Sequence, residues 1–131
     1  GNFDEITALC KAAVNKILGF EVGHVGINCN NEKEALDVSD TFGNAFSFET
    51  KIGNSSIFCS DKIEVMKSKY LGQYGHLAIK TNSINRALYY LKNKGFEADE
   101  STVKTDAKGN IVAIYLKNEI GGFAIHLLQK K

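Results

Sequence analysis

Gly75-His76-Leu77-Ala78-Ile79 restates a stretch that the chain already contains fifty-two residues earlier, Gly23-His24-Val25-Gly26-Ile27. At the same offset Asn30 falls on Asn82, Ala35-Leu36 on Ala87-Leu88, and Gly43 on Gly95. A fixed offset shared by a strand, a turn and a helix marks a duplicated structural unit. Few folds are open to such a chain, which reads as two copies of one module beginning β-α-β. Each copy opens with a histidine.

The alternation within each copy gives its elements. Glu21–Cys29 reads as a strand with Val25, Ile27 and Cys29 on one side and His24, Gly26 and Asn28 on the other. Asn30 or Asn31 caps a helix to about Phe42, with Gly43 near its end. Short strands follow at 46–52 and 55–59 around a Gly53-Asn54 turn, and then at 62–67, where Ile63 and Val65 alternate with Glu64 and Met66. In the second copy 74–80 is the strand, with Leu77 and Ile79 opposite His76, Ala78 and Lys80. Ser83 caps a helix whose stripe is Ile84, Ala87, Leu88 and Leu91, and Gly95 ends it. Strands at 97–105, 111–117 and 123–129 complete the copy, with turns at Asp106–Gly109 and Gly121-Gly122.

The expected fold is therefore α+β: two β-α-β-β-β modules, residues 20–70 and 71–131, forming one curved mixed sheet. One helix covers each module on one face only, so the other face is left to enclose a cavity or meet a partner. Residues 1–19 stand outside the repeat. Within them Ile6, Leu9, Cys10, Ala13, Val14 and Ile17 form an apolar helical stripe that needs a surface to cover it. Gly1-Asn2 in place of an initiating Met suggests a segment cut from a longer protein, with residues 1–19 as its linker.

Sixteen basic and fifteen acidic residues leave a net charge of +1, so no strong field draws this chain to nucleic acid or an anionic membrane. No apolar run approaches ~18 residues and no signal-peptide pattern is read. Cys10, Cys29 and Cys59 are odd in number and lack C-x-x-C spacing, which points to a reducing, cytoplasmic setting. Cys29 and Cys59 read as core thiols.

All three histidines of the chain, with Glu64, fall on the uncovered face at matching strand positions: His24 and His76 on the first strands, Glu64 and His126 on the last. Any one of them alone reads as structural; together they read as a metal site for Zn, Ni, Mn, Co or Fe. Three imidazoles and one carboxylate leave a divalent ion with a net charge near +1, and so still Lewis acidic. Gly26, Ala78 and Ala124, each two positions from a histidine, leave room above the ligands. Ser56, Phe58, Lys80 and Tyr115 line the same cavity by strand parity.

These motifs resemble those of the vicinal oxygen chelate superfamily, which includes glyoxalase I, extradiol dioxygenases, methylmalonyl-CoA epimerase and bleomycin-resistance proteins. The likeness runs from Phe20 to the end. It implies metal ligands on the first and last strands of each module, on the concave face: His24, Glu64, His76 and His126. Glyoxalase-like members usually carry glutamate where this chain has His126, and in several that glutamate is the catalytic base. A narrower likeness, at 53–58, 64–68 and 120–123, is to the domain fused behind bacterial aldolases that cleave 2-dehydro-3-deoxy-phosphogluconate or 4-hydroxy-2-oxoglutarate. The aldolase barrel itself is not in this chain.

Two functions follow as expectations. One is a metal-dependent lyase or isomerase acting on a small 2-oxo or 2-hydroxy compound, chelating its neighbouring oxygens and stabilising an enediolate, with Glu64 as base. With Fe(II), His24, His76 and Glu64 would instead form a dioxygenase triad. The other is a non-catalytic module that senses a metabolite for an attached aldolase. A homodimer is the expected assembly, and a small molecule the expected ligand.

Overall fold

The computed structural model describes residues 2–131; Gly1, and any reading placed on it, lies outside them. The first helix, α1, spans Asn2–Leu18. The first module follows as β1 (Glu21–Asn28), α2 (Glu32–Phe46), β2 (Thr50–Ile52), β3 (Ser56–Cys59) and β4 (Ile63–Met66). The second is β5 (Gly75–Thr81), α3 (Ile84–Lys92), β6 (Ala98–Thr105), β7 (Ile111–Ile120) and β8 (Phe123–Gln129). The repeat thus becomes two β-α-β-β-β units, as its offset requires.

The eight strands form one curved sheet in the order β2-β3-β4-β1-β5-β8-β7-β6. Within each module the first and last strands pair in parallel, β1 with β4 and β5 with β8. The modules meet edge to edge through the antiparallel pair β1 and β5. Joining the two first strands this way relates the copies by a local two-fold and places all four candidate ligands on the four central strands of one chain.

Period-two alternation sends the apolar residues to the convex face, where each helix covers its own module. Ala35 of α2 packs there with Cys29, Ile57, Cys59 and Val65, so both buried cysteines are core thiols. Ile84 and Ala87 of α3 pack with Ile114, Leu116, Ile125 and Leu127 of the sheet. The helix caps are those the sequence predicts: Asn31 Oδ1 accepts from the amide of Glu34, and Ser83 Oγ from that of Arg86.

Two boundaries differ from expectation. Helix α2 does not stop near Gly43 but continues to Phe46, ending on Ser47 at φ 58°. Phe42 and Phe46 share a helical face and close with Phe48 into an aromatic cluster, which outweighs the glycine's low helix propensity. Strand β7 runs to Ile120 rather than Lys117, reaching the Gly121-Gly122 turn, whose φ values of 61° and 85° suit glycine.

Helix α1 is fastened at one end only. Thr81 Oγ1 and the Asn82 amide donate to the carbonyl of Leu18, so the orphan acceptors of its last turn are met by module two. Leu18 is buried and Val14 packs on the α3 core. The rest of the stripe is bare: Ile6 is 55% exposed, Leu9 70% and Ile17 52%. Among the described residues nothing covers these three side chains. No helix among the described residues is long and apolar enough to cross a membrane.

Candidate metal centre

The register of the central strands builds the site. His24 lies opposite Ala78 and Gly26 opposite His76 across β1 and β5. On the outer sides Gly26 pairs with Glu64, and Ala78 with His126. Two adjacent rows therefore cross the concave face, Glu64–Gly26–His76 and His24–Ala78–His126, related by the local two-fold. In each row a small residue separates two donors. A methyl group on Gly26 would run into the imidazole of His76. The small residues thus make lateral room, letting rings from neighbouring strands lean over them.

The four predicted residues converge. The ligand atoms of His24, His76 and His126 all lie within 4.8 Å of one another. Nε2 of His24 and Nε2 of His76 are 3.1 Å apart, and Glu64 Oε2 is 3.1 Å from the first and 3.0 Å from the second. With Glu64 ionised, as its depressed pKa implies, no placement of protons on the two rings makes all three contacts favourable. If Oε2 accepts from both rings, two N–H groups crowd each other; if one ring is bare there, its lone pair faces the carboxylate. A single cation among them satisfies all three lone pairs. Donor atoms ~2.1 Å from one ion and at right angles stand about 3 Å apart, which is the spacing found. Nδ1 of His76 and of His126 is buried with no protein partner. The residues fit a divalent metal.

Electrostatics agree with that use. Burial by itself would raise the Glu64 carboxyl, but hydrogen bonds from His24, His76 and Ser56 outweigh it and hold the group well below the usual carboxylate range. Ser56 Oγ donates to Oε1 at 2.7 Å, so both oxygens of Glu64 are engaged. Burial, followed by the charges of His76, His24 and Lys104, pushes His126 down to about 3. Neutral imidazole is the form that binds metal.

The predicted lining residues all face this side. Phe58 meets His24 edge-on, with ring centroids 5.4 Å apart. Tyr115 stacks flat on His126 at 4.1 Å and 4°, fixing that ring's plane. Burial, then the charges of Glu64 and Tyr70, raise the Tyr115 phenol, so it stays protonated. Lys80 opens with His126 onto a cavity of ≈ 770 Å³. A second hollow of ≈ 610 Å³ lies beside Phe58, lined by Phe48, Lys51, Glu49 and Asp61.

Three residues escape the sequence reading. Tyr70, in the loop joining the modules, meets Tyr115 edge-on at 5.7 Å. Asn28 pins that loop by donating to the carbonyl of Gly72 at 3.1 Å. Lys104, on β6, shares the cavity with Lys80. Asn28 alone carried a signal, since its strand parity matches His24 and Gly26.

No family model and no curated protein sequence matches the chain. Solved structures do. Hypothetical protein BH1468 from Bacillus halodurans superposes with a TM-score of 0.59 at 17% identity, over 86% of this chain and 95% of that one. Methylmalonyl-CoA epimerase from Mycobacterium tuberculosis gives 0.55 at 16%, over 84% and 87%. The Streptomyces coelicolor methylmalonyl-CoA epimerase, in complex with 2-nitronate-propionyl-CoA, gives 0.57 at 12%, over 83% and 96%. These neighbours belong to the vicinal oxygen chelate superfamily. The likeness establishes the glyoxalase-like fold.

Proposed function

We propose that this domain is a metal-dependent catalyst of proton transfer on a small 2-oxo or 2-hydroxy compound, with its ion held by His24, Glu64, His76 and His126. The observation that carries the reading is the contact of three ligand atoms at 3.0–3.1 Å, which no placement of ring protons satisfies while Glu64 is ionised. A divalent ion there would supply Lewis acidity to two neighbouring substrate oxygens and offset the charge that develops when the adjacent C–H is deprotonated. Glu64 is the only carboxylate of the set and the group to take the proton. While engaged by His24 and His76 it is a weak base. Released from them and from the ion, it keeps burial, the largest influence on it, which raises its basicity against the single Ser56 hydrogen bond that lowers it. Ser56 keeps hold of Oε1 throughout. Epimerases among the fold neighbours favour an isomerase-type outcome over a lyase.

The test has two parts. Elemental analysis of protein purified without chelator should find about one divalent ion per chain, or added Zn, Ni or Mn should bind. The loaded protein, in D₂O with a panel of 2-oxo and 2-hydroxy acids, should then exchange the hydrogen beside the carbonyl carbon of an oxo acid, or the one on the carbinol carbon of a hydroxy acid. Failure to bind any of the metals overturns the site; metal without exchange overturns the chemistry.

A second reading rests on a different observation, the bare stripe of α1. A helix exposing Phe3, Ile6, Leu9 and Ile17 fits a domain tied to another body, for which the sequence resemblance implies an aldolase. On this reading the domain grips a metabolite without turning it over. Deletion of residues 1–13, which leaves Val14 and Leu18 in place, should then change neither stability nor metal binding. Unfolding of the truncated chain would make α1 part of this core.

A further inference from the structure

One row further along the concave face from His24–Ala78–His126 lies a row of different character. Lys80 pairs with Leu128, Leu128 with Ala113, and Ala113 with Lys104. Two lysines thus stand at the ends of a row whose middle is short and apolar. They line the ≈ 770 Å³ cavity together with His126, Lys130 and Lys131. Its single acidic side chain, Glu21, lies 3.6 Å from Lys130 Nζ and is matched by it. Neither Lys80 nor Lys104 has an ion pair among the described residues. The stem of Lys80 crosses Gly23, where a Cβ would come within 3.1 Å of its Cγ. That bare backbone lets the side chain lie along the sheet.

A chain with a net charge of only +1 has concentrated unpaired cations in one hollow beside its candidate ligands. We propose that this hollow is an anion subsite, in which Lys80 and Lys104 grip a carboxylate or phosphate at the far end of a substrate whose oxygens meet the metal ligands. The proposal rests on the metal reading for the position of those oxygens, but not for the hollow itself. Two residues of a parallel strand advance about 6.6 Å, a gap that about five bonds of ~1.5 Å span in a zigzag, counted from a chelating oxygen to an oxygen of the distal group. The substrate class is then a small 2-oxo or 2-hydroxy acid with a second anionic group a few carbons away. Phe48, Lys51, Glu49 and Asp61 give the opposite hollow no such excess, which sets the substrate's direction across the sheet.

The test uses the full chain loaded with Mn(II), and three probes titrated by calorimetry: pyruvate, 2-oxoglutarate, and 2-oxo-4-phosphonobutyrate. The last two add a distal carboxylate and a distal phosphonate. Charge-assisted hydrogen bonds predict that at least one of them binds about tenfold or more tighter than pyruvate, and which one does so identifies the anion. In the double variant Lys80→Gln/Lys104→Gln the three should bind alike, with metal content unchanged. Gly23→Ala, which keeps every charge but crowds Lys80, should lose part of the preference. No preference in the wild type, or a preference kept in the double variant, overturns the subsite. Should the chain bind no metal, inorganic phosphate added to the metal-free protein still decides the matter. Amide shifts at Lys80, Lys104 and Leu128 that vanish in the double variant support the hollow; no shift in the wild type overturns it.

Discussion

The two modules began as one unit, and three equivalent positions on their first strands show how far they have parted. His24 and His76 still occupy matching places, since each brings one imidazole to the cluster. Gly26 and Ala78 do related work under unequal constraint. Each separates two donors, but only at Gly26 does a ring occupy the space that a methyl would need. Asn28 and Lys80 have separated entirely: one pins the loop between modules, the other lines the basic hollow. The last strands differ again, Glu64 in module one and His126 in module two. Symmetry therefore built the frame, and departures from it gave the cluster one carboxylate and one basic end. Duplicated folds make such sites readily, because an antiparallel seam brings equivalent strands together on one face.

The largest break in the symmetry is predicted at the second pair. Gly26→Ala drives a methyl into the His76 ring, so metal affinity should fall more than about 100-fold, beyond the usual cost of disturbing an outer partner. Overpacking should add a stability loss of about 1–3 kcal/mol. Ala78→Gly, its mirror, should keep the metal and cost about 0.5–1 kcal/mol through chain entropy. Metal titration and chemical denaturation of both variants check this; equal effects would mean that the rows do not hold the register described.

His76→Ala sharpens the first pair. Removing a donor should abolish tight metal binding, whereas Ile114→Ala in the core beneath should cost about 2–5 kcal/mol with the metal site intact. Ile114 is fully buried on the opposite face of the sheet, so the two losses should separate cleanly between metal affinity and unfolding midpoint.

The last-strand pair should separate by pH in the metal-free protein. The depressed His126 binds its proton more weakly folded than unfolded, so stability should fall as pH drops below its ordinary value of 6.5, continuing to about 3. Glu64 is also depressed. Its contribution is present above its ordinary 4.5 and is lost as pH falls below that value. Each group's share has a ceiling of about 1.4 kcal/mol per pH unit. Between pH 6.5 and 4.5 the slope should flatten in His126→Gln and persist in Glu64→Gln. The reverse pattern in denaturation midpoints would exchange the two assignments.

Much of this was legible in the sequence because the repeat supplied register. An offset of fifty-two residues aligned His24 with His76 without any other chain for comparison, and strand parity put Glu64 and His126 on the same face. What escaped did so for physical reasons. The register of β6 shifts between Asp99 and Lys104, so alternation could not say where Lys104 points. Tyr70 sits in an irregular loop that has no period to read. The overrun of α2 came from Phe48, a contact beyond the helix that local propensity does not contain. The bare face of α1 shows the converse: a clear stripe predicts a need for cover, but not what provides it.

The smallest predicted difference is at the third pair, and it tests whether equivalent positions now carry separate tasks. Asn28 Nδ2 reaches the carbonyls of Tyr70, Leu71 and Gly72 at 3.4, 3.4 and 3.1 Å, and its Oδ1 accepts from the Tyr70 amide at 3.4 Å. Most of these are long, so Asn28→Ala should cost about 1–2 kcal/mol, near the value of one good buried bond rather than four. Freed from it, the loop should let Tyr70 leave Tyr115, and hydrogen exchange should quicken at 68–74. Lys80→Gln removes no ion pair and should leave stability within about 0.5 kcal/mol of the wild type. Its effect should appear only when an anion is offered. If Lys80→Gln destabilised the chain as much as Asn28→Ala, Lys80 would be a structural residue like its counterpart, and the two modules would have diverged less than their side chains suggest.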